Sequence, residues 1–324
     1  MNHARFIPPS EDQGYVFGSS PAGLILMYHR VADVATDPWE LFVSPANSEE
    51  HLDVLRKYSC VPLERMENSK RTGRCVALTF DDGYADNLHA AIPLLERFDI
   101  PAAFFITTGG IDSGREFWWG ELEQLILGDS APSQISFAAG DVFYNWNTKT
   151  GETTGTVGDP QPWWPAGDSA AMRVYRSCHH ILQSLQDADR AAAMHSLAND
   201  SGRVRGERES HRRLNWDEVM ELSRHKLAEI GAHTVTHPKL SAFSRARQEF
   251  EITQSTADLE ERIGRPVASF AYPFGSAAHI NQTSVELVQQ AGFLRALYEP
   301  ESAGPRKGIL FCVASHSRSE SGRQ

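Results

Sequence analysis

The chain has 324 residues, 41% of them hydrophobic, enough for one large domain or a domain carrying a sizeable insertion. Its 31 Lys and Arg against 42 Asp and Glu give a formal net charge of -11, which argues against nucleic acid as a partner and suits uncharged or cationic small substrates. No stretch approaches the ~20 apolar residues of a membrane-crossing helix. The opening MNHARFIPPSEDQGYVF lacks the apolar core and cleavage site of a signal peptide, and Cys60, Cys75, Cys178 and Cys312 show no CxxC spacing, so a reduced, cytoplasmic setting is expected.

LILMYHRV, residues 24–31, is a short apolar run ending in polar residues and predicts a buried strand. In NSEEHLDVLRKY, Asn47 or Ser48 is the expected helix N-cap, with Leu52 and Leu55 on one face. CVALTF predicts a second strand. YADNLHAAIPLLERFDIP then places Leu88, Ile92 and Leu95 at helical spacing ahead of Pro101. AAFFITT predicts a third strand, closed by a turn at Gly109 and Gly110. Strand, helix, strand in this rhythm implies parallel strands with crossover helices.

The rhythm breaks over residues 110–213. FWWGELEQLIL and AMRVYRSCHHILQSLQDADRAAAMHSLAND predict helices, while FAAGDVFYNWNTKTGETTGTVGDPQPWWPAGD is rich in Gly, Thr and Pro with weak periodicity. This segment is expected to be an insertion on the loop after the third strand rather than a separately folding domain. RVRGERESHRR interleaves arginine with glutamate and reads as a solvated charged linker. Trp118-Trp119 and Trp163-Trp164 could stack on sugar rings or anchor the insertion.

From Asn215 the alternation resumes. NWDEVMEL carries a cap at Asn215 with Glu218 three residues on; LAEIGA predicts a strand; SRARQEFEITQSTADLEERIGRP predicts a helix with Ile252, Leu259 and Ile263 inward and Gly264 at its end. VASFAY, FLRALY and GILFCVA complete seven strands. A distorted seven-stranded (β/α) barrel is expected rather than a Rossmann sheet, since no Gly-rich phosphate loop follows the first strand.

Three polar clusters fall at the carboxyl ends of predicted strands, where parallel βα architectures place their chemistry. They are Thr79-Phe80-Asp81-Asp82-Gly83, His233-Thr234-Val235-Thr236-His237-Pro238 and Tyr272-Pro273-Phe274-Gly275. Alone, Asp-Asp-Gly is a turn with a helix cap, and a His-x-x-x-His pair need not be a ligand pair. The β-branched residues between the histidines, and the proline after them, disfavour a helix. Two histidines with one carboxylate make a divalent site with open positions, and the second carboxylate can then serve as a base. A divalent cation also removes the objection that adjacent Asp residues at a sheet end repel each other.

TFDDG, HTVTHP and YPFG, in this order and at these intervals, resemble the polysaccharide deacetylases of the NodB homology type, carbohydrate esterase family 4. The resemblance runs from about Val76 to Gly275, with LMYHRV upstream also similar to bacterial members, and skips most of the insertion. It implies an N-terminal segment at 1–71 with the first strand and helix, a homology domain at 72–324 with the insertion inside it, and an unusual tail at 299–324. It implies Asp81 as general base, and Asp82, His233 and His237 as ligands of a divalent metal ion, usually zinc, with cobalt, nickel or manganese as alternatives. Thr234 would steady the loop, and the Phe274 N–H would support the oxyanion beside Tyr272. His29 is a candidate for lining the pocket or for a plain strand-end hydrogen bond.

The substrate implied is an N-acetylated amino sugar or glycan, with no nucleic acid partner. Two departures stand out. Ala271 occupies a position where the family commonly has an arginine that orients the base. The tail GILFCVASHSRSESGRQ offers only His316, at unmatched spacing, where members usually supply a general acid. Hydrolysis of another C–N bond, as in a formamide or cyclic amide, and a catalytically silent sugar-binding role are the alternatives these departures leave open.

Overall fold

The structure, a computed structural model, describes residues 24–66, 75–128, 131–152, 168–202 and 208–298, and the backbone of 309–310. The tail residues 311–324 with Cys312 and His316, the pair Trp163-Trp164, and the opening residues 1–23 lie outside the described residues. The chain divides into two compact units. One comprises Met1–Asp33, Phe42–Ile111 and Leu214–Gln324; the other comprises Val34–Leu41 and Asp112–Arg213.

The first unit is built on an eight-stranded sheet whose path runs Arg295–Leu297, Ser269–Ala271, Ala228–Ala232, Ala102–Ile106, Cys75–Phe80, Leu24–Tyr28 and Ile309–Leu310. The short strand Ser59–Cys60 pairs with the start of Cys75–Phe80. From Leu24–Tyr28 to Arg295–Leu297 each strand lies parallel beside its predecessor in the chain. This one-directional winding has no point where strand order reverses, as a barrel requires and a Rossmann sheet forbids. The final strand, Ile309–Leu310, returns antiparallel to Leu24–Tyr28 at the other edge.

The strands are apolar on both faces, as buried parallel strands should be. One face packs Phe80, Phe104, Ile230 and Phe270 against the helices, including Leu95, Leu222 and Leu259. The other holds Ile25, Ala77, Ala103, Phe105, Ala271 and Leu297. Small residues on this inner face are imposed by Phe105: a Cβ on Gly231 would stand 2.4 Å from its ring carbons.

Helix starts follow side-chain caps. Asn215 and Glu218 form a reciprocal capping box on Trp216–Arg224, and Gly264 ends Arg245–Ile263 with φ 69°. The cap of Pro45–Leu55 is Ser44, three residues before the expected Asn47, with Pro45 opening the helix where its missing N–H costs nothing. The helix after the second strand opens with a π-helical turn at Asn87–Ala91 before Ile92–Phe98 continues it. Pro93 sits at that junction and cannot donate into the regular ladder.

The second unit has its own core, centred on Leu122, Phe137, Trp146, Tyr175, Cys178 and Leu197. The Gly- and Thr-rich stretch contains an antiparallel hairpin, Gln134–Ala139 with Val142–Asn147, which its weak periodicity concealed. Trp119 is buried and Trp118 stands edge-on to it, so both serve packing. The charged segment is not a solvated linker where it is described. Arg208 donates to Glu116 and Glu123, and Arg213 lies over Phe117 at 4.0 Å. Among the described residues no helix is long and apolar enough to cross a membrane.

Candidate active site

The three motifs meet at the carboxyl end of the sheet because adjoining strands deliver them. Asp81 follows Phe80 directly, and its N–H donates to Tyr28 O at 3.0 Å, one residue before His29. His233 follows Ala232, and its N–H donates to Ile106 O at 3.0 Å. The strand-end loops are then cross-tied: Thr107 N to Asp82 O at 3.2 Å, Thr108 N to Thr234 O at 3.2 Å, Gly109 N to Val235 O at 2.7 Å. A Cβ on Gly109 would lie 2.4 Å from Val235 O, so only glycine permits this approach.

Asp82, Thr234, His237 and Phe274 all adopt left-handed backbone, with φ of 77°, 65°, 54° and 61°. Each such residue costs about 1–3 kcal/mol and persists only where its surroundings hold it, a pattern typical of preorganised sites. The loop between the histidines is therefore a turn rather than a helix, as Thr234-Val235-Thr236 and Pro238 predicted.

Asp82 Oδ1 lies 3.2 Å from His237 Nε2 and 3.5 Å from His233 Nε2, and all three residues are buried. His233 Nδ1 pairs with Ala271 O at 2.8 Å, so it carries the ring hydrogen and leaves the Nε2 lone pair toward Asp82. Asp82 Oδ1 has no hydrogen-bond partner among the described residues. Three ligand atoms lie within 4.8 Å of one another. Ligands about 2.0–2.1 Å from a tetrahedral ion stand about 3.3 Å apart, which matches both Asp82–His separations. The donor set and its spacing fit a divalent ion.

Burial penalises the Asp82 carboxylate, yet His233 and His237 hold its pKa well below the ordinary range. Burial also works against charge on His233, but Asp82 and Asp81 outweigh it and push this imidazole up. His237 is pushed down to about 4, by burial above all. For Asp81 burial prevails and raises the carboxyl, against the pull of His233 and His29. Its Oδ1 is buried with no hydrogen-bond partner among the described residues. A carboxylate held anionic and a more basic one thus sit side by side, split by environment.

His29 is half-buried and close enough to Asp81, Asp82 and His237 to interact with each electrostatically, which places it at the same site. Its backbone carbonyl accepts from Asn87 Nδ2 at 2.9 Å. The Phe274 ring stands edge-on to His237 at 4.6 Å, a contact beyond the backbone position the sequence suggested. Tyr272 is turned the other way: its ring packs edge-on to Phe270 in the core, and burial raises its hydroxyl pKa.

One residue escaped the sequence reading. Glu251, wholly buried in Arg245–Ile263, accepts from Val235 N and Thr236 N, both at 2.8 Å, and from Thr236 Oγ1 at 2.7 Å. The signal was a run of polar residues on the buried stripe of that helix: Gln248, Glu251 and Ser255 alternate with Ile252 and Leu259.

The family model for polysaccharide deacetylases matches residues 68–128 and 173–296, more than half of the chain. The chain belongs to the polysaccharide deacetylase family. It is 31% identical over 104 residues to YxkH of Bacillus subtilis (strain 168), which carries a polysaccharide deacetylase name; that match spans 30% of this chain and only 36% of the relative. A de-N-acetylase from Aggregatibacter actinomycetemcomitans superposes with TM-score 0.51 at 16% identity, over 90% of this chain and 91% of that one. IcaB from Ammonifex degensii gives 0.50 at 17%, over 85% and 83%. At such identities the likeness is one of fold, and the fold is the distorted (β/α) barrel of NodB-type deacetylases. Ala271, where the resemblance implied an arginine, has its side chain in the inner core.

Proposed function

We propose that this family member is a metal-dependent hydrolase that removes the acetyl group from the nitrogen of an amino sugar or glycan. The supporting observation is the Asp82–His233–His237 triad, with ligand separations of 3.2 and 3.5 Å, beside a buried carboxylate whose Oδ1 has no hydrogen-bond partner among the described residues. Zinc is the ion named, with cobalt, nickel or manganese as alternatives. Bound there, a divalent ion supplies Lewis-acid polarisation of an acyl oxygen and acidification of water.

The chain's own residues divide the remaining work. Asp82, held anionic, and the two imidazoles bind the ion. Asp81 accepts a proton at its carboxylate, and its raised basicity favours that task. His29 stands beside these groups at the strand end. The Phe274 ring shields His237 from water, while its backbone N–H is assigned to the developing oxyanion. Tyr272 supports this loop from the core rather than touching substrate.

The test is elemental analysis of the purified chain beside the double variant His233→Ala/His237→Ala, paired with acetate release from N-acetylglucosamine oligomers. About one divalent ion per chain, lost in the variant together with acetate release, is the expected result. A chain that takes up neither zinc nor cobalt overturns the reading.

A further inference from the structure

We propose that Glu251 is a positioning residue for the Asp82–His233–His237 centre, fixing the 234–237 loop so that both imidazoles face Asp82. The inference rests on the metal-site reading above and adds a residue that lies outside the three motifs.

Glu251 is 0% exposed at the middle of Arg245–Ile263. A carboxylate so placed must find donors for about four lone-pair directions. It finds four. Oε2 accepts from Val235 N and Thr236 N; Oε1 accepts from Thr236 Oγ1 at 2.7 Å and pairs with Arg247 Nη2 at 2.7 Å. Three of the four donors come from the two residues midway between His233 and His237. Only Arg247, one turn earlier, belongs to the helix itself, and it balances the charge.

The geometry explains why the loop requires such an acceptor. Thr234 and His237 are both left-handed, so the residues between them turn two successive N–H groups to the same side. Buried N–H groups without an acceptor are costly, and the loop would relax to recover them. The other side of the loop is tied through Thr108 N and Gly109 N to the Thr234 and Val235 carbonyls. The same helix face also holds that neighbour. Asp258, two turns beyond Glu251, accepts from Thr108 Oγ1 at 2.8 Å. The helix therefore holds two strand-end loops with two carboxylates, and Glu251 is the one that holds the loop carrying both imidazoles.

The full-length chain should be titrated with zinc in competition with a chromophoric chelator, comparing wild type with Glu251→Gln, Thr236→Val and Leu259→Ala. Gln turns an amide NH₂ toward existing donors, so zinc dissociation is expected to rise about 10–100-fold, as for other groups that orient metal ligands. Acetate release by this variant is expected to fall at limiting zinc and recover at excess zinc. Thr236→Val removes one donor and is expected to shift affinity in the same direction by less. Leu259→Ala, a core truncation on the same helix, is expected to lower the melting temperature while zinc affinity stays at the wild-type value. Wild-type affinity in Thr236→Val together with a folded Glu251→Gln of wild-type affinity overturns the proposal. Should Glu251→Gln fail to fold, Thr236→Val with wild-type affinity overturns it alone. A wild-type chain without zinc or cobalt binding defeats the underlying site reading instead, and this inference with it.

Discussion

His233 and Ala271 are joined through the imidazole Nδ1 and a backbone carbonyl, 2.8 Å apart. The ring orientation of His233, a proposed ligand, is thus set by an atom that every residue type provides. Having alanine here rather than the arginine that the resemblance implied leaves that bond untouched. Ala271→Gly is expected to keep about one divalent ion per chain, at a cost of about 0.5–1 kcal/mol in stability for glycine within a strand. His233→Ala is expected to lose the ion. Elemental analysis of both variants checks this, and ion loss in Ala271→Gly would assign the orienting role to something other than the carbonyl.

Asp81 carries the opposite kind of constraint. Burial raises its carboxyl on folding, against His233 and His29. A carboxyl raised on folding favours the folded state at low pH and opposes it once pH climbs through the raised value. At pH 8, Asp81→Asn is therefore expected to melt higher than wild type when both are metal-free. With metal present the same variant should keep its ion and lose hydrolysis by about 10²–10⁴-fold. Turnover at the wild-type rate would remove Asp81 from the base role.

All seven expected strands occur in the sheet, because runs such as CVALTF and AAFFI are apolar on both faces and bounded by turn residues. Their order followed from the strand–helix rhythm, and the three polar motifs stood out because they interrupt the runs at one end. What stayed hidden depends on partners far away in the chain. Arg208 looked solvated in a charge run, yet its carboxylates, Glu116 and Glu123, precede it by 92 and 85 positions. Glu251 pairs across 15 and 16 positions with backbone N–H groups, which leave no mark in a sequence. The hairpin Gln134–Ala139 with Val142–Asn147 has only two buried residues, Ile135 and Phe137, on its first strand, too few for a period to emerge from the Gly- and Thr-rich surroundings.

Gly231 lies two residues before His233, under the Phe105 ring. An added Cβ would meet two ring carbons at 2.4 Å and Ser269 O at 3.0 Å. Gly231→Ala is expected to cost about 1–3 kcal/mol through overpacking. Phe105→Leu opens that space, so the double variant should lose less than the sum of the two single losses. Urea unfolding of the four proteins measures the coupling, and strict additivity would mean that the ring does not impose the glycine.

Arg30 and Asp86 link the short strand Arg30–Val31 to the start of the π-helical turn Asn87–Ala91. Arg30 is buried between the rings of Phe42 and Tyr84, at 4.3 and 4.1 Å, and its Nε and Nη2 each reach Asp86 Oδ2 at 2.8 Å. Asp86 Oδ1 accepts from Val31 N and Asn87 Nδ2, and Asn87 Nδ2 also holds the His29 carbonyl. Burial still raises the Asp86 carboxyl, with Arg30 as the main opposing influence. Arg30→Leu removes that influence and raises the carboxyl further, so the variant should lose stability as pH rises and regain it as pH falls toward the carboxylate range. About 3–5 kcal/mol is expected to be lost at pH 8, the usual cost of stranding a buried charge, and clearly less at pH 5. Arg30→Leu/Asp86→Leu removes the stranded carboxylate and should recover part of the pH 8 loss. Urea midpoints at the two pH values decide it: an equal deficit at both would show that Asp86 does not stay buried once its arginine is gone.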